Sequence, residues 1–277
     1  MLELSDVHRY LRWKKRFPTV WCSGCGIGSI MGAIIRAVMD LNISKDDVAL
    51  VSGIGCSSRM PVYVDFNTLH TTHGRAIPFA TGIKLVRPDM KVIVVSGDGD
   101  ALAIGGNHFI HAARRNIGIT MILINNSIYG MTGGQVAPTT PLGAIAHTMP
   151  YGNIDPNFNP VELAMAAGAT FVARSTVYSI VQTTNYIKKA LQHQGFSLVE
   201  IISQCPVLFG RLNKMPDPKQ LLKWQKDNSI PLARAKNMSP EELEGKIITG
   251  IFREEDRIEY TQRYAELVKR VQSELEE

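Results

Sequence analysis

Apolar residues along the first two hundred positions fall into two alternating patterns. Short continuous runs rich in β-branched side chains occur at 48–52, 92–96, 120–125, 170–173 and 197–203. Runs of that length suit strands buried on both faces of a parallel sheet. Between them, apolar positions recur at helical spacing over 27–41, 76–86, 103–116, 161–167 and 178–194. The alternation predicts an α/β fold, a doubly wound and mostly parallel sheet covered by helices. After Pro206 the pattern breaks, and the residues up to 237 are rich in Lys, Pro and Asn without a clear period. Ser239, Pro240 and Glu242 then make a capping box, with Pro at the first helical position. A last amphipathic helix is predicted over 258–276. The chain thus divides into a domain over 1–206 and an arm over 207–277, packed on the core or on a partner subunit.

Composition narrows the class. The chain has 277 residues, 45% hydrophobic and 20% charged, as in an ordinary soluble globular protein. No run approaches the roughly 18 consecutive apolar residues of a membrane helix. The first residues lack the apolar core of a secretory signal, so a cytoplasmic location is expected, with no membrane partner. A net charge of +5 is too mild to indicate nucleic acid. Basic residues gather only at Arg12, Lys14, Lys15 and Arg16, and more loosely from Lys214 to Lys226. Such a run is commonly a solvated face, or it docks an acidic partner such as a small electron carrier.

The segment 91–135 carries the most specific chemistry. One strand runs into Gly97-Asp98-Gly99 and the next ends at Asn125-Asn126, with 25 residues between the two motifs. In a parallel sheet both lie at carboxyl strand ends, where open α/β folds bind ligands. Gly97 and Gly99 let the backbone approach a diphosphate without a Cβ in the way. Asp98 offers a carboxylate oxygen and Asn126 an amide oxygen to magnesium. The following loop, SIYGMTGGQ, has three glycines that bring backbone amides within reach of phosphate. A lone GDG is only a tight turn. Paired with NN at this spacing, it resembles the signature of the diphosphate-binding domain of thiamine diphosphate enzymes. A Rossmann site is the competitor, but no G-x-G-x-x-G follows a strand.

Four cysteines stand out in a chain of this size: Cys22 and Cys25 in C-S-G-C ahead of a helix, Cys56 beyond the first strand, and Cys205 after the last. All four are expected at the edge that holds the diphosphate. Four thiolates beside a helix N-terminus suit a 4Fe–4S cluster. Structural zinc more commonly uses two C-x-x-C pairs, a lone C-S-G-C can be a redox dithiol, and Cys56 and Cys205 alone would be ordinary buried thiols.

The segments WCSGCGIG, GIGCSSR, HGRAIPFATGIKLVRPD, GDGDA and NNSIYGMTGGQ, with Cys205 before Pro206, together resemble the β subunit of the 2-oxoacid:ferredoxin oxidoreductases. The resemblance covers about residues 15–210 and is greatest to the two-subunit enzymes, most of all 2-oxoglutarate:ferredoxin oxidoreductase. It implies thiamine diphosphate, magnesium and one 4Fe–4S cluster, so that 1–206 becomes the domain that binds them. It also implies coenzyme A-dependent oxidative decarboxylation of a 2-oxoacid, 2-oxoglutarate to succinyl-CoA, with electrons passed to ferredoxin. A pyruvate or broad-range oxidoreductase, and a non-redox thiamine diphosphate decarboxylase, are the alternatives.

By matching motifs, Asp98, Asn126 and the carbonyl of Ile128 would hold magnesium, and Cys22, Cys25, Cys56 and Cys205 the cluster. Gly97, Gly99, Asp100, Tyr129, Met131 and Thr132 would surround the diphosphate. Ile54, Cys56, Ser57 and His73 would line the aminopyrimidine and thiazolium side. His73 and Arg75 are the catalytic candidates; Arg75 would meet either the substrate carboxylate or a carboxylate of the protein. His108 and His111 share a helix face and are read as structural. Some relatives carry Lys in the loop where this chain has Gly133. Thiamine catalysis also needs a glutamate facing the aminopyrimidine, and in this superfamily it comes from another domain. The resemblance therefore implies an α subunit that supplies it, in a heterodimer or a dimer of heterodimers.

Overall fold

The computed structural model of the protein describes residues 4–12 and 18–276, so Lys14, Lys15 and Arg16 lie outside the described residues. In chain order the elements are α1 (Leu4–His8), α2 (Ile27–Asp40), β1 (Val48–Ser52), β2 (Asn67–His70), α3 (Ala76–Val86), β3 (Lys91–Gly97), α4 (Gly106–Arg115) and β4 (Ile119–Asn125). The second half continues with α5 (Pro160–Ala167), β5 (Phe171–Thr176), α6 (Ile180–Gln192), β6 (Ser197–Ile202), α7 (Pro218–Asn228), β7 (Ser229–Pro231), α8 (Leu232–Ala235), α9 (Pro240–Leu243), β8 (Ile247–Glu254) and α10 (Tyr260–Glu276).

The sheet has the order β2-β1-β3-β4-β6-β5-β8-β7. Strands β2 through β5 in that order pair in parallel, and β8 joins β5 antiparallel. This is the doubly wound, mostly parallel sheet that the continuous apolar runs predict: every residue of β1 and β4 is buried. Two apolar layers flank it. Ile30, Ile34 and Val38 of α2 and Ile187 of α6 pack on one face, and Ala80 of α3, Phe109 of α4 and Ala164 of α5 on the other. The chain leaves β1 to one side for β2 and to the other for β3, so the strand order reverses there. A crevice outside the carboxyl ends of β1 and β3 is the expected consequence.

Several elements depart from the sequence pattern. Strands β2, β7 and β8 were not marked by apolar runs, because they lie toward the sheet edges and are only partly buried. In place of a helix from 103, a wide π-helical turn occupies Gly99–Ile104 and α4 begins at Gly106. The segment without a period contains α7, started by Asp217, whose carboxylate accepts from Lys219 N at 2.9 Å. Its buried positions include a polar residue, Gln225, which hid the amphipathic pattern. The capping box forms at Ser239 and Glu242 as read. None of the side chains of α10 is buried, and Tyr264, Leu267, Val271 and Leu275 form an exposed apolar stripe. Among the described residues, no helix is long and apolar enough to cross a membrane.

One ion pair lies inside the sheet. Glu200 on β6 is fully buried and accepts from Arg174 Nε on β5 at 2.6 Å, and Arg174 sits over the Phe252 ring of β8 at 5.7 Å. Removing one partner of such a pair leaves an uncompensated buried charge. Arg174→Ala is expected to lower the unfolding free energy by about 3–5 kcal/mol. A urea titration checks this, and a loss below about 1 kcal/mol would show that water reaches Glu200.

Candidate functional site

The carboxyl ends of β1, β3 and β4 enclose a cavity of about 430 Å³. Ile54, Cys56, Ser57, His73, Gly97, Asp98, Gly99, Asp100, Asn126, Ile128, Tyr129, Met131 and Thr132 all stand on its wall. Four segments distant in sequence thus converge, because each follows the end of a neighbouring parallel strand: β1, β2, β3 and β4.

Asp98 is buried at 3% exposure where β3 ends. Its Oδ1 accepts from Gly99 N at 2.9 Å, and its Oδ2 from Ser127 N at 2.8 Å and Thr139 Oγ1 at 2.5 Å. Burial pushes its carboxyl up to about 6, against the opposing pull of those hydrogen bonds. Asn126, on the wall of the same cavity, has an amide that makes no hydrogen bond to the protein among the described residues. A buried carboxylate and an unengaged amide lining one cavity fit a hard divalent cation, which would hold Asp98 ionised. Gly99 completes the cradle. A Cβ there would stand 2.2 Å from the ring of Tyr129, whose hydroxyl donates to Gly99 O at 3.0 Å. The donor set and the close-packed glycine therefore fit a magnesium-bound diphosphate.

Asp100 also touches the cavity, yet its carboxylate is spent on the protein and not on a ligand. Its Oδ1 accepts from His73 Nδ1 at 2.7 Å, Gly74 N at 2.7 Å and Ile54 N at 3.1 Å, and its Oδ2 from Ser96 Oγ. Since the carboxylate accepts, Nδ1 of His73 donates to it, and Nε2 is the ring nitrogen left for another partner. His73 also meets Tyr129 edge to face, with ring centres 6.0 Å apart. Asp100, expected among the residues around the diphosphate, stands on the cavity wall with its carboxylate engaged by the protein.

Arg75 is not among the residues lining the cavity, and among the described residues it pairs with no carboxylate of the protein. Its guanidinium lies 2.6 Å from His108 Nε2 on α4. Burial, with the Arg75 and His111 charges, holds His108 below the usual histidine range. Residues that sequence reasoning passed over include Thr139 on Asp98, Ser96 on Asp100, and Gln135, which closes the glycine loop through Thr132.

The four thiols share this edge and none is in a disulfide. Trp21 Nε1 donates to Cys56 O at 2.7 Å, and Gln204 Nε2 to Gly24 O at 2.9 Å, which ties the C-S-G-C turn to the segments of Cys56 and Cys205. A Cβ on Gly130 would lie 3.2 Å from Cys56 Sγ and 3.8 Å from Cys205 Sγ. Burial, then the neighbouring thiols, pushes Cys25 up to about 12 and Cys56 up to about 11. Buried thiols gathered together, whose ionisation is disfavoured first by burial, suit a cationic iron centre, which stabilises thiolates. Among the described residues, no three His, Cys, Asp or Glu side chains converge as on a single metal ion. A cubane cluster holds its thiolates farther apart than one ion does.

Comparison with known proteins gives consistent matches. Residues 53–201 match the family described as thiamine pyrophosphate enzyme, C-terminal TPP binding domain. The chain is 51% identical to the 2-oxoglutarate synthase subunit KorB of Methanocaldococcus jannaschii, over 96% of this chain and 98% of that protein. It is 40% identical to the 2-oxoacid:ferredoxin oxidoreductase subunit beta of Saccharolobus solfataricus, over 84% of this chain and 76% of that one. A solved structure of 2-oxoglutarate:ferredoxin oxidoreductase from Magnetococcus marinus, with 2-oxoglutarate, coenzyme A and succinyl-CoA bound, superposes with a TM-score of 0.86 at 36% identity. That match covers 98% of this chain and 92% of the other.

Gly99→Ala is expected to displace Tyr129 and weaken magnesium-dependent binding of thiamine diphosphate by about tenfold, or ~1.4 kcal/mol. Titration calorimetry with a circular dichroism control reads it. Unchanged affinity in a folded variant would mean that the cradle is looser than its packing indicates.

Proposed function

On these matches the chain belongs to the β subunits of the 2-oxoacid:ferredoxin oxidoreductases, and from that premise we propose that it serves a 2-oxoglutarate:ferredoxin oxidoreductase. The reaction is 2-oxoglutarate, coenzyme A and two oxidised ferredoxins giving succinyl-CoA, carbon dioxide, two reduced ferredoxins and a proton. The observation that carries this reading is the pairing, on one strand-end edge, of the Asp98–Asn126 corner with four unbridged thiols. A non-redox decarboxylase uses the first and has no need of the second.

Asp98, Asn126 and the carbonyl of Ile128 would hold magnesium. Gly97, Gly99, Tyr129, Met131 and Thr132 would surround the diphosphate, and Ile54, Ser57 and His73 the ring side. Cys22, Cys25, Cys56 and Cys205 would hold one 4Fe–4S cluster. When bound, thiamine diphosphate supplies an electron sink for carbon–carbon cleavage, and the cluster supplies one-electron transfer. The chain's own contribution is position and field. Asp98 sets the cation, and Asp100 aims His73 so that its Nε2 is left for a group in the cavity.

Among the described residues no glutamate lines the cavity. The glutamate that thiamine chemistry requires is assigned to an α subunit, in a cytoplasmic heterodimer or dimer of heterodimers. Within the arm over 207–277, α10 and its exposed stripe are the part offered to that partner.

Coexpressed with its α subunit and assayed without oxygen, the chain is expected to support viologen reduction dependent on 2-oxoglutarate and coenzyme A. Alone it should hold about four iron atoms and show no turnover. A colourless, iron-free complex, or turnover as fast with pyruvate, would overturn the assignment.

Two substitutions separate the sites. Asp98→Asn should abolish magnesium-dependent thiamine binding and leave the iron, whereas Cys22→Ser should lose the iron and keep thiamine binding. Calorimetry and iron analysis read both, and a variant that lost both together would refute two independent sites.

A further inference from the structure

The chain's positive charge is not spread evenly over its fold. Between Pro206 and Lys236 stand seven lysines and arginines against two aspartates, a surplus equal to the net +5 of the whole chain. All seven are exposed. Only Lys223 has a carboxylate partner among the described residues, Asp227, in an open surface pair. Such a pair does little to neutralise the patch.

Helix α7 organises this charge. Leu221 and Gln225 face inward, and Gln225 is held by hydrogen bonds with Tyr178 N and Gln204. That orientation turns Lys219, Lys223 and Lys226, at i, i+4 and i+7, outward along one stripe. The helix is fastened to the thiol-bearing turn at its first residue. Gly24, between Cys22 and Cys25, packs so closely on Pro218 that a Cβ would come within 2.2 Å of the proline ring. Gln204 donates to Gly24 O on the other side and stands next to Cys205. Cys22 is exposed at this border.

We propose that the Lys219–Lys223–Lys226 stripe of α7 is the docking surface for a small acidic iron–sulfur electron carrier. The surface is positive and, through Pro218 packed on Gly24, abuts the turn of the one exposed thiol of the four, so a carrier of opposite charge is steered to the edge where electrons would leave. Complementary charge raises encounter rate and fixes orientation more than it adds affinity at high salt. The proposal rests on the oxidoreductase reading above and adds the face at which the acceptor binds.

The test is the affinity of an acidic two-cluster ferredoxin for the assembled complex, measured by calorimetry at low and high salt. K219E/K223E/K226E should weaken it by at least about tenfold at low salt, and the difference should shrink as salt screens the wild-type contact. K219A/K226A, a milder change, should lose about threefold. Viologen reduction, which needs no protein docking, should stay at the wild-type rate in both variants.

Affinity within about twofold of wild type, with viologen reduction intact, would overturn the docking surface and leave the oxidoreductase reading standing. A variant that no longer assembles with the α subunit on size exclusion would assign the stripe to the subunit interface and also overturn the proposal. An unaltered complex that holds no iron would remove both readings at once.

Discussion

The cavity depends on the carboxylate of Asp100. It stands one residue beyond the GDG turn, buried at 3% exposure, and gathers groups from three other stretches of chain: Ile54 N after β1, His73 and Gly74 before α3, and Ser96 in β3. A buried carboxylate is costly unless its oxygens are met, and here both are. The knot leaves no room for a side chain at Gly53, where a Cβ would lie 2.1 Å from Asp100 Oδ2. It also draws the backbone of Gly74 to φ +69, where that glycine is packed against Ile104. The wall of the site is therefore set by one acceptor that pulls separate loops to a common point.

Asp98, two residues earlier, sits in contrasting surroundings. Its oxygens take hydrogen bonds from Gly99, Ser127 and Thr139, yet burial still lifts its carboxyl up to about 6. Among the described residues no basic side chain is among its partners. Its buried charge is met by hydrogen bonds alone, whereas Asp100 is also met by the imidazole of His73. The two carboxylates differ in this, although both belong to the same G-D-G-D run.

That distinction marks the limit of what the sequence discloses. The parallel sheet, the strand ends and the cavity residues were legible, because continuous apolar runs and the GDG and NN pairs are specific in residue type and position. The role of Asp100 was not, since its partners lie 46, 27, 26 and 4 residues away and carry no shared pattern. Thr139 escaped notice for the same reason, 41 residues from Asp98 in an irregular loop. Helix α7 was hidden because Gln225 takes an inward position that periodicity reserves for apolar residues, and only its Asp217-Pro218 start could have marked it. Arg75, beside His73 in sequence, turned outward to His108 once α3 began at the next residue.

The far half of the sheet is tied to the Asp98 wall of the cavity by a continuous polar path. Phe252 on β8 supports Arg174 on β5, Arg174 donates to Glu200 on β6, and Glu200 accepts from Asn125 Nδ2 on β4 at 2.8 Å. Asn125 Oδ1 accepts in turn from Ser127 N, which also donates to Asp98. Ser127 adopts φ +61, a left-handed conformation that a non-glycine residue holds only under constraint. A buried ion pair of this kind is weak as a stabiliser, because desolvation offsets much of its attraction. Its clearer effect here is geometric. With Glu200 fixed, the Asn125 amide is fixed, and the turn at Asn126 and Ser127 keeps its strained shape on the cavity wall. The strands of the second half thereby act on a site to which they contribute no wall.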